Sequence, residues 1–117
     1  MGYNTRYKLT VQLLIGSKIA QLADDAPLFS LIAELREENE EARYCLDEKG
    51  EAEDSGKWYE HEADFRAFSL KHPTILFTLH GEGEENDDIW NKYFLNGKCQ
   101  VAKAEFQIAP FDRKKLA

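Results

Sequence analysis

The sequence predicts an α+β domain: an antiparallel or mixed sheet of about five strands carrying two helices on one face. Three observations predict it. Tyr7, Leu9, Val11, Leu13 and Ile15 alternate with Lys8, Thr10, Gln12 and Leu14, the period of two that marks a strand with one buried face. Leu28, Leu31, Ile32 and Leu35 recur at helical spacing, as do Phe65 and Phe68 with Leu70 further on. Asn96-Gly97 stands between two strand-like runs and is the dipeptide that best fits a two-residue hairpin turn with positive φ at both positions. At 117 residues the chain is too short for two ordinary domains, yet long enough to bury one core without disulfides or a structural metal.

The first strand covers residues 7–15. Asp24-Asp25-Ala26-Pro27 supplies an N-cap carboxylate and a first-turn proline, so the first helix runs from about 26 to about 38. Beyond Glu37-Glu38-Asn39-Glu40-Glu41, the residues Ala42, Tyr44 and Leu46 alternate with Arg43, Cys45 and Asp47, which predicts a second strand. Residues 47–56 hold Gly50, Gly56 and five acids with almost nothing apolar, and read as a flexible loop outside the core. The second helix occupies roughly 60–71, approached by Trp58 and Tyr59 and stopped by Pro73. Ile75, Phe77 and Leu79 alternate with Leu76, Thr78 and His80, a strand apolar on both faces and therefore central. It ends in the turn 81–86. The hairpin strands span 89–95 and 98–108, with Trp90, Lys92 and Phe94 on one face and Ile89, Asn91, Tyr93 and Leu95 on the other. The order β-α-β-loop-α-β-β-β suits a ferredoxin-like arrangement.

Charge is distributed unevenly. The net charge is -7, with fifteen acids against four bases between 24 and 64 and five acids without a base between 82 and 88, while both ends are basic. Such a field repels nucleic-acid backbones and attracts a basic protein surface, or it serves solubility alone. Cys45 and Cys99 lie far apart with no C-x-x-C spacing, so they read as two buried thiols, neither a zinc knuckle nor a redox pair. No apolar run approaches the ~20 residues that span a bilayer, and the opening residues lack a signal peptide's apolar stretch, so a cytoplasmic protein without membrane contact is expected. Gly2 is followed by Arg6 where an acylation signal has Ser or Thr. Arg113-Lys114-Lys115 is too short for a nucleic-acid arm and reads as a solvated end.

Few constellations carry chemistry. Glu82, Glu84, Glu85, Asp87 and Asp88 offer hard oxygen ligands on a short turn, but they lack the alternating acids, central glycine and closing glutamate of an EF-hand loop and read as a solvated turn. Gly81-x-Gly83 lacks the third glycine and following helix of a dinucleotide site. In His61-Glu62-Ala63-Asp64-Phe65 a phenylalanine occupies the position of a zincin's second histidine, so His61 reads as a surface residue. His72, before Pro73, is capping material. His80, close to Glu82 and Glu84, is the one histidine worth testing for acid-base work. Ser55, Ser69 and Cys99 stand in no nucleophile motif. No cofactor is expected. Trp58, Tyr59, Trp90, Tyr93 and Phe94 divide between core packing and an exposed aromatic patch.

Three stretches, 2–9, 81–85 leading to Asp88-Ile89-Trp90, and 93–100, together resemble small proteins of phages and mobile elements. The resemblance implies a phage or prophage context, in which compact acidic proteins inhibit host machinery by binding it, anti-CRISPR proteins among them; it carries over no catalytic residue. The reading is therefore a non-enzymatic binding module that occupies a basic, nucleic-acid-binding type of surface on a host protein. The residues expected to do so are Glu37, Glu38, Glu40, Glu41, Glu51, Glu53, Asp54, Glu82, Glu84, Glu85, Asp87 and Asp88, with Trp90. Two alternatives stay open: a metal-dependent or histidine-assisted enzyme at the 80–88 turn, and an immunity protein for a toxin. The binding reading presupposes that the carboxylates gather on one surface.

Overall fold

The computed structural model describes residues 4–16, 18–21, 26–52, 56–85, 87–105 and 110–116. Among these, β1 (Thr5–Ile15) and a short β2 (Lys18–Ala20) are followed by three helices, α1 (Ala26–Glu38), α2 (Glu40–Cys45) and α3 (His61–Lys71). Then come β3 (Ile75–Gly83), β4 (Ile89–Leu95), β5 (Lys98–Lys103) and a 3₁₀ turn at Arg113–Lys115. All strand pairs are antiparallel, in the order β2-β1-β3-β4-β5. The α+β class holds. The three helices are consecutive, and so depart from the β-α-β-β-α-β order that defines a ferredoxin-like unit.

The alternation in β1 does what its period requires: Thr5, Tyr7, Leu9 and Val11 are buried and their even-numbered neighbours face outward. β3 pairs with β1 from Thr5↔Gly83 to Leu13↔Ile75, which makes it central as expected. Phe77, Leu79, Trp90 and Phe94 extend the same buried face, and Ile32 and Leu35 of α1 with Phe65 and Phe68 of α3 cover it. The helices thus lie on one face. The other carries Lys8, His80 and Asn91 in one cross-strand row and Thr10, Thr78, Tyr93 and Gln100 in the next. Asn96 and Gly97 adopt φ of 49° and 82°, the hairpin turn expected of them.

Gly81 is a close-approach position. It faces the core opposite Trp90, and a Cβ there would come within 2.2 Å of the indole ring. The glycine that resembled part of a phosphate loop is thus a seat for tryptophan.

Two segments differ from expectation. Residues 40–45 are helical, because the buried positions are Ala42, Cys45 and Leu46, a spacing of three and four, while Tyr44 is 77% exposed. Glu40 and Glu41 in the first turn suit the positive end of a helix. Within the expected loop 47–56, the described residues 47–52 and Gly56 are tied to the sheet. Gly50 is buried, Leu9 N donates to Gly50 O at 2.7 Å, and Thr5 and Gly56 exchange both backbone bonds at 2.8 and 2.9 Å. The segment lies along the outer edge of β1 and supplies the partners that its N-terminal half would otherwise lack. Asp47 shapes it by accepting from the N–H groups of Lys49 and Glu51 at 2.8 and 3.0 Å. The Asp24-Asp25 cap and the strand end expected at 106–108 lie outside the described residues, and β5 ends at Lys103.

Candidate functional site

The acidic residues separate into two groups at opposite ends of the sheet. Glu37, Glu38, Glu40 and Glu41 sit at the elbow where α1 meets α2 around Asn39. Glu38 pairs with Lys71 and Glu34 reaches His72 Nε2 at 2.5 Å, which fixes the elbow beside the end of α3 and the start of β3. The turn 82–88 lies at the far end of β3, a nine-residue strand that spans roughly 27 Å at ~3.4 Å per residue. Glu53 and Asp54 fall outside the described residues.

Their partners also differ. Glu84 accepts from the Asn4 N–H at 2.9 Å and Glu82 from His80 Nε2 at 3.2 Å, while Asp88 O and Glu85 O take backbone bonds that close the turn. Glu51 stands 3.8 Å from Lys8 on the edge of β1. Asp87 is exposed. Glu37, Glu40 and Glu41 are exposed and form no ion pair among the described residues. The turn is thus mainly bound to its own framework, and the elbow is the open acidic surface.

Trp90 is 9% exposed, so it is a core residue and offers no surface to a partner. Its ring stacks on His61 at 5.3 Å with 14° between planes and meets Tyr7 edge-on. His61, expected on the surface, is therefore half-buried. His61 Nδ1 donates to Trp58 O at 2.7 Å, which leaves the Nε2 lone pair to accept from the Lys92 ammonium, also at 2.7 Å. Burial first, opposed by the bond to Trp58 O and helped by the Lys92 charge, pulls the imidazole below its ordinary range. Lys92 in turn lies 4.7 Å from the Trp90 ring centre and 3.4 Å from Glu62, whose carboxyl Arg66 holds low by hydrogen bonding. The pairing of Lys92 went unread in the sequence because its partners on α3, His61 and Glu62, are distant along the chain.

His80 lies on the face opposite the helices, in a groove of about 290 Å³ with Arg6, Lys8, Glu51 and Glu82. Both ring nitrogens are engaged, Nδ1 with Asn91 Oδ1 at 2.7 Å and Nε2 with Glu82. Among the described residues no three His, Cys, Asp or Glu side chains come together as metal ligands. Ser69 is buried and serves the fold: its Oγ accepts from the Gly97 N–H at 2.8 Å and donates to Arg66 O. Cys45 is buried, which pushes its thiol up to about 11, and burial raises half-buried Cys99 as well.

No family model, no curated protein and no solved structure matches this chain. Among the described residues no helix is long and apolar enough to cross a membrane.

Proposed function

We propose that this chain is a non-enzymatic protein-binding module that docks on a basic protein surface through its helical elbow. The observation that carries the reading is the outward face of α2, where Glu40 and Glu41 stand one turn from Tyr44, with Glu37 in the preceding turn. Three unpaired carboxylates beside an accessible aromatic ring suit a partner rich in Arg and Lys: the charges steer encounter and the ring stacks on a guanidinium. Between residues 26 and 52 acids outnumber bases eight to three, so the local field has the same sign. The resemblance to phage and mobile-element proteins is what favours a host protein as partner, with inhibition following from occupation of a surface that otherwise meets nucleic acid.

The test is capture from a bacterial host lysate at low and high salt. A partner retained at low salt, released at high salt, and lost to the triple variant Glu37→Gln, Glu40→Gln, Glu41→Gln and to Tyr44→Ala is the expected result. Equal retention by wild type and both variants overturns it. Neutralising Glu82, Glu84 and Glu85 instead should leave capture intact, because the Glu82 and Glu84 carboxylates already bond His80 and the Asn4 N–H.

A further inference from the structure

Three cations gather around an apolar groove inside the most acidic stretch of the chain. Phe29, Ala33, Arg36 and Glu37 recur at helical spacing on α1, on a stripe distinct from the Ile32 and Leu35 stripe that enters the core. Arg43 of α2 and Glu48 and Lys49 of the Asp47 turn form the facing wall. The groove measures about 540 Å³, within the ~300–1,000 Å³ usual for small-molecule sites.

Its cations stand without carboxylate partners among the described residues. Arg36, Arg43 and Lys49 form no ion pair among the described residues, even with Glu37 and Glu48 in the same lining. Arg36 Nε is shielded from solvent and has no hydrogen-bond acceptor. A buried donor of this kind is uncommon in a folded protein, and a bound acceptor is one of its ordinary explanations. In a segment with fifteen acids and only four bases between 24 and 64, three of those bases line this one groove. The floor is apolar, with Phe29 39% exposed above the core.

We propose that the groove binds an amphipathic organic anion, its carboxylate, sulfonate or phosphate head held by Arg36, Arg43 and Lys49 and its apolar body laid over Phe29 and Ala33. Guanidinium groups match a planar or tetrahedral oxyanion through paired N–H donors, which fixes the head. The exposed ring and methyl group supply the apolar contact that inorganic anions would not use. The site does not depend on protein docking at the elbow.

The experiment is a backbone amide NMR titration of the full chain with four probes: octanoate, 1-naphthylacetate, neutral 1-naphthylacetamide and inorganic phosphate. The expected result is saturable movement of the Ala33, Arg36, Arg43 and Lys49 amides with one or both organic anions. Octanoate acting alone assigns an acyl ligand; 1-naphthylacetate acting alone assigns an aryl one. Arg43→Gln and Lys49→Gln, both at exposed positions, should each weaken binding about tenfold. Ala33→Trp should fill the groove and remove binding while Tm stays within the range of the other variants. No saturation at millimolar probe overturns the proposal. So does equal binding of the neutral amide, a response to phosphate alone, or variants that bind like wild type.

Discussion

At Gly50 the chain has a φ of 84° and no space for a side chain, since a Cβ would lie 2.8 Å from Ile32 Cδ1 and 2.9 Å from Leu9 O. Gly50→Ala therefore combines a left-handed backbone cost with a steric one, and a loss of about 2 kcal/mol or more is expected. At roughly 4 °C per kcal/mol a Tm drop of some 8 °C should be visible by calorimetry. The Ser69 hydroxyl is one of the bonds that join α3 to the hairpin, and Ser69→Ala should cost about 1–3 kcal/mol by leaving the Gly97 N–H without its acceptor. His61 makes stability depend on pH. Its pKa is lower folded than the 6.5 of the unfolded chain, so the unfolded state binds the extra proton and the contribution is present above 6.5 and lost as pH falls toward the folded value. Tm should fall between pH 7 and pH 5 more steeply for wild type than for His61→Gln. Parallel slopes would show that the His61 imidazole does not govern the loss of stability over that range.

At the scale of elements, α2 is the sharpest test, because a strand and a helix predict opposite outcomes for Tyr44. As an inward strand residue it would lose several kcal/mol on truncation; as an exposed helical one, Tyr44→Ala should shift stability by no more than ~0.5 kcal/mol. The neutral outcome is expected. The same residues show how far the sequence could be read. α1, α3, β1, β3 and the Asn96-Gly97 hairpin each span enough turns or alternations for their period to declare itself. α2 has six residues and β2 three, lengths at which a period of two and one of 3.6 fit the same letters. Gly50, Glu51 and Gly56 joined the sheet edge through backbone pairing, which leaves no trace in side-chain hydropathy. In the site, the open acids of the elbow were legible as a charge run. The bases of the adjoining groove were counted only as a minority within it, and their spacing, Arg36, Arg43 and Lys49 across a helix break, held the signal.

For the molecule as a whole, the open acids of the elbow lie apart from those of the 82–88 turn among the described residues, so the proposed docking should carry its salt dependence through the elbow. The flank of β1 has a further consequence. Lys49 is exposed and immediately precedes the glycine whose carbonyl holds Leu9. A tryptic nick after Lys49 would free that clasp and bare a run of unsatisfied amides along a long, apolar-backed ribbon. Such a ribbon recruits its own kind, so nicked protein should sediment as larger species than the intact chain, and a light-scattering trace taken during limited digestion would record the change.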